Sequence, residues 1–216
     1  TLKEIIRSVE GIPLGAWKRE IIVVDDASTD STPDILAKLG ARVRSFRLDK
    51  NSGKGTAVKR GLDEATGDYM VIQDADLEYN PKELYLFTEA IEEGKAHVIY
   101  GSRNLHHVKR EGFLFQRFGV WLITKLVNVL YGAKLTDVWT CYKLFPRSAK
   151  DHFVPGRFEA ELLFTAALLR NGHSITEVPI SHTPRDVKEK TFPLHVMEIT
   201  RPVYDMRFTL LYGFRE

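Results

Sequence analysis

The sequence predicts an α/β fold in which a mainly parallel sheet carries helices on both faces. Apolar runs alternate with segments of roughly 10 to 15 residues at helical spacing, a pattern typical of successive strand–helix–strand units. The runs within 20–26 and 69–73 are continuously apolar until they reach polar residues at their ends, as expected of strands covered on both faces. Glycine or proline separates most segments and marks the turns between them.

The elements follow from these patterns in order. The opening segment has apolar residues at helical spacing and a glycine stop, so we expect a helix over 1–11. No strand precedes it, although an α/β fold usually begins with one, so we expect a first strand N-terminal to Thr1 that is missing here. The strands predicted after this helix are 20–26, 42–48, 69–73, 96–103, a short strand around 142–145, and a strand that leads into a polar loop within 173–185. The further helices are predicted over 33–40, 56–66, 81–94, 112–132 and 158–172.

Composition argues against several classes of protein. Basic and acidic residues nearly balance, and the net charge of +2 gives no support for binding to nucleic acid. The single cysteine, Cys141, excludes an internal disulfide framework and is typical of a reducing compartment. No run of about 18 uncharged apolar residues occurs, so we expect no segment of this sequence to span a membrane by itself.

Polar and charged residues come directly after several predicted strands. Since the carboxyl ends of parallel strands meet at one edge of a sheet, we expect these residues to converge where α/β proteins bind ligands. They are Asp25, Asp26, Asn51, Lys54, Asp74, Asp76 and Arg103.

The stretch "DADLE" after the strand 69–73 predicts a metal site. Side chains repeat every two residues on an extended segment, so Asp74, Asp76 and Glu78 can point to one side. Carboxylate oxygens are the ligands that Mg²⁺ and Mn²⁺ prefer, together with substrate phosphates. The alternative is a solvated turn whose acids cap the next helix, and a lone Asp-x-Asp does not separate the two.

Two further motifs also have alternative interpretations. "VVDDAST" is either a helix-capping turn or a carboxylate site for a nucleobase or ribose. "NSGKG" lacks the known phosphate-loop patterns and is either a plain turn with a solvated lysine or a turn that presents Lys54 to a diphosphate. The aromatic and basic stretch 112–131 is either a core helix or a helix that lies in a membrane interface.

Taken together and in this order, the motifs resemble those of a known family. "IIVVDDASTDST", "NSGKGTAVKRGLDEATGDYMVIQDADLEYNP", "YGSR", "LTDVWTCYKLF" and "EVPISHTPR" resemble family 2 glycosyltransferases of the GT-A fold. The branch they are most similar to makes polyprenyl-phosphate sugars, as dolichyl-phosphate mannosyltransferase does. The resemblance implies an inverting transfer of a hexose to a polyprenyl phosphate, assisted by Mg²⁺ or Mn²⁺. The donor would be a nucleotide sugar of the GDP-mannose or UDP-glucose type.

The resemblance also implies roles for individual residues. Asp74, Asp76 and Glu78 would be the metal ligands, and catalysis would depend on Asp76, Asp137 and Arg103. The positions implied for donor binding are Asp25, Asp26, Ser28, Asn51, Gly53, Lys54, Asp74, Ala75 and Asp76. The positions implied for the acceptor phosphate are Arg103, Arg117, Lys143 and Arg185.

The resemblance describes the chain as a single GT-A domain over 1–216. Its nucleotide-sugar half would cover about 1–105, and its acceptor and membrane-interface half about 106–216. The protein is expected to be peripheral on the cytoplasmic face of a membrane, and no oligomeric state is implied. The family's opening strand with its Pro-x-x-Asn-Glu motif is absent, and so are the C-terminal membrane helices of many relatives.

Three alternatives carry different predictions. The first is a soluble family 2 enzyme that glycosylates a glycan, a protein or a small molecule. The second is a phosphatase of the haloacid dehalogenase type, which is disfavoured because Glu78 stands where that class needs Thr or Val. The third is a non-catalytic protein that binds nucleotide sugar without turnover. The Gln-x-x-Arg-Trp signature of processive synthases is absent from the sequence.

Overall fold

The structure, a computed structural model, describes residues 1–94, 96–105, 114–157, 159–183 and 208–215, with the backbone alone for 114–117 and 208–215. The helices are α1 (Leu2–Glu10), α2 (Thr32–Leu39), α3 (Lys54–Glu64), α4 (Leu84–Glu92), α5 (Leu114–Tyr131) and α6 (Glu159–Arg170). The strands are β1 (Lys18–Asp25), β2 (Arg44–Arg47), β3 (Tyr69–Asp74), β4 (Val98–Ser102), β5 (Lys143–Pro146), β6 (Ile175–Pro179) and β7 (Phe208–Arg215).

The described strands form one seven-stranded sheet in the order β2-β1-β7-β3-β5-β4-β6. β1, β2, β3, β4 and β6 run in the same direction, whereas β5 and β7 run antiparallel to their neighbours. The predicted α/β fold with a mainly parallel strand direction is therefore confirmed. Because the five strands share a direction, their carboxyl ends lie along one edge of the sheet.

The interior forms two layers, one on each face of the sheet. Along β1, Val23 packs into a core with helices α1, α2 and α4. Its neighbours Ile22 and Val24 pack into a second core with α3 and α6. This alternation puts successive side chains on opposite faces, and full burial of each stabilises the fold by about 1.5–3 kcal/mol. Helices on both faces, as predicted, follow from these two apolar layers.

Strand β7 was not predicted from the sequence. It lies between β1 and β3 and is antiparallel to both, with Leu210 opposite Val23 and Tyr212 opposite Val71. The first described element is α1, as expected. The prediction of a strand upstream of Thr1 stays a prediction.

Helix α5 exposes apolar side chains instead of burying them. Val129 is 80% exposed and Phe118 57% exposed, while Thr124 and Val127 lie on the buried side of the helix. The remaining exposed apolar side chains of this helix are Trp121, Leu122, Leu126, Leu130 and Tyr131. The core-helix interpretation of 112–131 is therefore wrong for the described residues, since only a narrow stripe of α5 is covered.

Within the described ranges, the helices are too short or too polar to cross a bilayer.

Candidate active site at the strand ends

Two oxygen-rich turns lie at the ends of β1 and β3, as the topology predicts. Asp26 at the end of β1 accepts hydrogen bonds from the backbone N–H groups of Ser52 and Gly53, at 2.7 and 2.8 Å. Asp74 at the end of β3 pairs with Lys54, the first residue of α3. These contacts join the two strand ends through the glycine-rich turn, so the predicted convergence of Asp26, Lys54 and Asp74 is confirmed.

The first acidic turn is held by its own side chains. Asp25 is fully buried and accepts from the backbone N–H of Ser28 at 2.8 Å and from the Arg47 guanidinium at 3.0 Å. Ala27 has a φ of 59°, in the left-handed region that a side chain disfavours by about 1–2 kcal/mol. Asp25 therefore acts on the shape of the turn, since both of its oxygens are engaged within the protein.

Ser28 has a polar atom that the described protein does not satisfy. Its side chain is 1% exposed, and its Oγ has no hydrogen-bond partner within the described ranges. Buried hydroxyls in native proteins are nearly always hydrogen-bonded. The unsatisfied Ser28 Oγ therefore fits the predicted donor-binding role of the turn, since a bound ligand could supply the missing hydrogen bond.

The glycine-rich turn brings α3 close to α6. Gly53 adopts a φ of 91°, and Asn51 beside it is exposed. A Cβ on Gly55 would come within 2.5 Å of the Ala160 Cβ, so only glycine fits at this crossing without displacement. The close approach places Lys54 against the first turn of α6.

A chain of four buried charged side chains starts at this crossing. Lys54 Nζ lies 2.7 Å from Asp74 Oδ1 and 2.7 Å from Glu161 Oε1. Glu161 Oε2 in turn accepts from Lys143 Nζ at 2.9 Å, and Lys143 also donates to the Thr140 carbonyl. Negative and positive groups alternate along this set of four, which is neutral in sum.

Burial and charged neighbours shift the pKa of three of these groups, namely Lys54, Asp74 and Glu161. Burial acts to lower the pKa of Lys54, but Asp74, Cys141 and Glu161 raise it well above its ordinary value. Burial raises the pKa of Asp74, although Lys54 opposes the shift. Burial would also raise the pKa of Glu161, yet Lys143 and Lys54 lower it to about 2. Glu161 is thus ionised and Lys54 protonated at neutral pH.

The second acidic turn carries the predicted metal ligands. Asp76 Oδ1 accepts from the backbone N–H of Glu78 at 3.1 Å, and Ala75 before it is buried. Leu77 between the two acids has a φ of 63°, a second left-handed residue at a strand end. Such strained residues are often found at functional sites, where the surrounding structure holds them in place.

Asp74, Asp76 and Glu78 do not form a three-ligand set. Glu78 Oε2 lies 3.2 Å from His182 Nε2, and Asp74 is paired with Lys54. Within the described ranges, no three His, Cys, Asp or Glu side chains are grouped as a metal site. One or two carboxylates completed by substrate phosphates are the usual donor set for Mg²⁺, and Asp74 with Asp76 fits it. Their metal-binding role stays a prediction.

Arg103 and Asp137 form a third polar centre, after β4. Arg103 Nε and Nη2 donate to the two oxygens of Asp137 at 2.7 and 2.8 Å. Asp137 is fully buried, and the Arg103 side chain is 18% exposed. Burial acts to lower the pKa of Arg103, but hydrogen bonding to Asp137 raises it. The paired geometry is that of an orienting carboxylate, since both Asp137 oxygens face one guanidinium.

Of the four predicted acceptor residues, only Arg103 and Lys143 have side chains within the described structure. Lys143 is fully buried within the chain of four charges. For Arg117, which is part of α5, the structure describes the backbone alone. Arg185 lies outside the described residues. The assignment of these residues and Arg103 to an acceptor phosphate stays a prediction.

Two site residues were missed in the sequence, namely Glu161 and Glu177. Glu161 shares the buried face of α6 with Ala160, Phe164, Thr165 and Leu168. A lone acid among apolar residues at helical spacing is a signal of a buried ion pair, because unpaired buried charge is costly. Glu177 in β6 accepts from the backbone N–H groups of Thr136 and Asp137, and so supports the turn that carries Asp137.

Known proteins similar in sequence to this chain are glycosyltransferases. The chain matches glycosyl transferase family 2 over residues 1–153. It is 32% identical over 171 residues to the low-salt glycan biosynthesis hexosyltransferase Agl6 of Haloferax volcanii, covering 76% of this chain and 40% of Agl6. It is 26% identical over 194 residues to the undecaprenyl-phosphate 4-deoxy-4-formamido-L-arabinose transferase of Edwardsiella ictaluri, covering 87% of this chain and 56% of the relative. The chain therefore spans about half the length of these curated relatives.

Among solved structures, the chain is similar to glucosyl-3-phosphoglycerate synthase from Mycobacterium tuberculosis in complex with Mn²⁺, UDP and glucosyl-3-phosphoglycerate. The TM-score is 0.64 at 21% identity, covering 88% of this chain and 69% of that one. At this level of identity the likeness bears on the fold alone, and it confirms the predicted GT-A type.

Proposed function

This chain belongs to glycosyl transferase family 2, and from that premise we propose that it transfers a hexose from a nucleotide sugar to a polyprenyl phosphate. The observation that carries the proposal is the junction of the two acidic turns with Lys54 at the carboxyl edge of the sheet. The names of the relatives support the acceptor class, since one of them is an undecaprenyl-phosphate transferase. The donor is of the GDP-mannose or UDP-glucose type.

One group of residues would act on the departing diphosphate, and another would contact the rest of the nucleotide. Asp74 and Asp76 would hold Mg²⁺ or Mn²⁺, and this ion would supply positive charge that neutralises the departing diphosphate. Asp26 accepts hydrogen bonds from the backbone of Ser52 and Gly53 and so holds this turn in place, where the turn can face the nucleotide. Ser28 offers its unsatisfied buried Oγ on the same side.

The chemical step is an inverting displacement. A phosphate oxygen of the acceptor bonds to the anomeric carbon from the face opposite the diphosphate, and the bond from that carbon to the diphosphate oxygen breaks. The second pKa of a phosphate monoester is about 6, so the nucleophile is already ionised at neutral pH and needs no general base. The pairing of both Asp137 oxygens with Arg103 supports an orienting role for Asp137.

The exposed face of α5 supports a position on a membrane surface, which we propose to be the cytoplasmic face. Phe118 and Trp121 stack on one another with ring centroids 5.7 Å apart, and both are more than half exposed. Lys125 is exposed on the same helix and can meet lipid phosphate. A peripheral enzyme of this kind would reach a lipid-linked acceptor at the bilayer surface.

Substitution of Asp76 tests the proposal. Purified protein is assayed with UDP-glucose and GDP-mannose, with undecaprenyl or dolichyl phosphate, with and without Mn²⁺. We expect Asp76→Ala to lower sugar transfer by about 100-fold or more, because charge on the leaving group is no longer neutralised. It should also abolish the Mn²⁺-dependent shift in melting temperature, while the melting temperature without Mn²⁺ is unchanged.

The matched control is Asp68→Ala, at the opposite end of β3, where the carboxylate is exposed and paired with Arg147 at the surface. Its activity should equal that of the wild type. Full activity of Asp76→Ala would overturn the site. Transfer only to water-soluble acceptors would favour a soluble family 2 enzyme, and binding without any transfer would favour a non-catalytic protein.

A further inference from the structure

Glu161 lies in the candidate site although none of the recognised motifs contains it. It comes from the first turn of α6, is 7% exposed, and bridges two lysines at 2.7 and 2.9 Å. A buried carboxylate is stabilised only by such partners, so its position is fixed on both sides. Of the two lysines that contact Glu161, Lys54 is the one that also contacts Asp74.

Lys54 divides its charge between two carboxylates. Its Nζ lies at the same 2.7 Å from Asp74 Oδ1 and from Glu161 Oε1. Without Glu161, the whole ammonium charge would act on Asp74 and would repel a cation bound beside it. With Glu161 present, one negative charge is available to offset Lys54 and leaves Asp74 with its own.

The local packing shows that this division is built into the fold. The close crossing of Gly55 and Ala160 and the hydrogen bond from Thr56 N to the Gly156 carbonyl, at 3.0 Å, hold the start of α3 against α6. Lys143 holds the second oxygen of Glu161 and is itself fully buried, 5.1 Å from the centroid of the Tyr100 ring. If either lysine moved away, the buried carboxylate of Glu161 would lose one of its two ion-pair partners.

We propose that Glu161 is a positioning residue for the donor site, which acts through Lys54 to keep Asp74 able to bind a divalent cation. The inference rests on the proposed function, because it assumes that Asp74 and Asp76 hold the cation of a nucleotide diphosphate. It adds to that function a residue from the second half of the chain, so the donor site depends on α6 as well as on the strand ends.

The test compares Lys143→Met with the double variant Glu161→Gln/Lys143→Met. The double variant contains one buried carboxylate and one buried lysine, Asp74 and Lys54, and so remains neutral and able to fold. Mn²⁺ binding is measured by calorimetry in the presence of UDP and, separately, GDP. We expect the apparent Kd for Mn²⁺ to rise about tenfold in the double variant relative to Lys143→Met, as for the loss of one nearby charge.

Two further variants separate charge from shape. Glu159→Gln on the same turn of α6 is exposed and should bind Mn²⁺ as the wild type does. Glu161→Asp keeps the carboxylate but shortens the side chain, and should lie within about threefold of the wild type, since it retains the charge. Urea unfolding of every variant without ligand shows whether the binding change has a purely structural cause.

The outcomes distinguish this inference from the proposed function. Equal Mn²⁺ affinity in Lys143→Met and the double variant, in a protein whose wild type transfers sugar, overturns the role of Glu161 alone. A Mn²⁺ affinity that falls in proportion to stability, in Glu161→Asp as much as in the double variant, also overturns it. A wild type that binds neither nucleotide with Mn²⁺ overturns both.

Discussion

The strand-end site buries its charges, whereas helix α5 exposes its apolar side chains. Lys54, Asp74, Glu161 and Lys143 are all less than 9% exposed, while Val129 on α5 is 80% exposed. Both regions depart from the usual distribution of residues, but only the first is balanced by contacts within the described protein. At the site the cost of the buried charges is met inside the fold, whereas for α5 we propose that a membrane surface meets the cost of the exposed apolar side chains.

The largest effect is expected when the balance of buried charge is broken. Lys54→Met leaves Asp74 without its cation and Glu161 with only Lys143, which should lower the free energy of unfolding by about 3–5 kcal/mol. Urea denaturation measures this. The control is Lys59→Met on the same helix, which removes a surface pair with Asp63 and should cost at most about 0.5 kcal/mol. Equal losses in both variants would contradict the distinction between the buried and the surface charges.

A smaller effect is expected when the packing beneath the charges is disturbed. Gly55→Ala places a Cβ 2.5 Å from that of Ala160 and 2.7 Å from the Gly156 carbonyl oxygen, so we expect a loss of about 1–3 kcal/mol. Gly119→Ala on α5 is the same change where no described atom lies within 4 Å, and should gain about 0.5–1 kcal/mol. Thermal unfolding of the two variants gives the comparison, and a stabilised Gly55→Ala would show that α3 and α6 are not in close contact.

The smallest effect on stability is expected on the exposed face of α5. Leu122→Gln, Leu126→Gln and Val129→Gln together should change the free energy of unfolding by no more than about 0.5 kcal/mol per site, since these side chains are already in water. Sedimentation with phosphatidylglycerol vesicles should instead show at least about tenfold weaker binding, because each side chain buried in lipid contributes about 1.5–3 kcal/mol.

Tyr85→Gln on α4, a side chain 51% exposed outside α5, is the control and should bind vesicles as the wild type does. Vesicle binding that the α5 substitutions leave unchanged would remove the membrane role proposed for this helix. A large loss of stability would instead indicate that a part of the protein covers α5.

Local patterns predicted most of the fold because each element carries its own signal. The alternation of apolar runs and helical spacing located β1, β3, α3 and α6, and the shared strand direction brought Asp26, Lys54 and Asp74 together. The segment 208–215 is also apolar and rich in aromatic residues, but its place between β1 and β3 depends on pairing with residues distant in sequence. Local sequence does not specify such partners.

The candidate site was predicted less completely than the fold, for a physical reason. Motifs identify side chains that follow strands, but Glu161 enters the site from the buried face of a helix and meets Lys54 only after α3 and α6 have packed. Asp74, Asp76 and Glu78 are not grouped as one metal site in the described structure for a related reason. Tertiary contacts that spacing along one strand cannot reveal supply other partners for these acids, Lys54 for Asp74 and His182 for Glu78.

The crossing of Gly55 over Ala160 also bears on motion. A stretch such as "NSGKG" is commonly taken as a flexible hinge, because glycine has a wide choice of backbone angles. Here its second glycine, Gly55, packs so closely against Ala160 that no side chain would fit. Lys54 beside it forms ion pairs with two carboxylates. The turn and α6 should therefore move as one body, so that any opening of this edge of the sheet is a collective movement on the microsecond to millisecond scale instead of a nanosecond loop fluctuation.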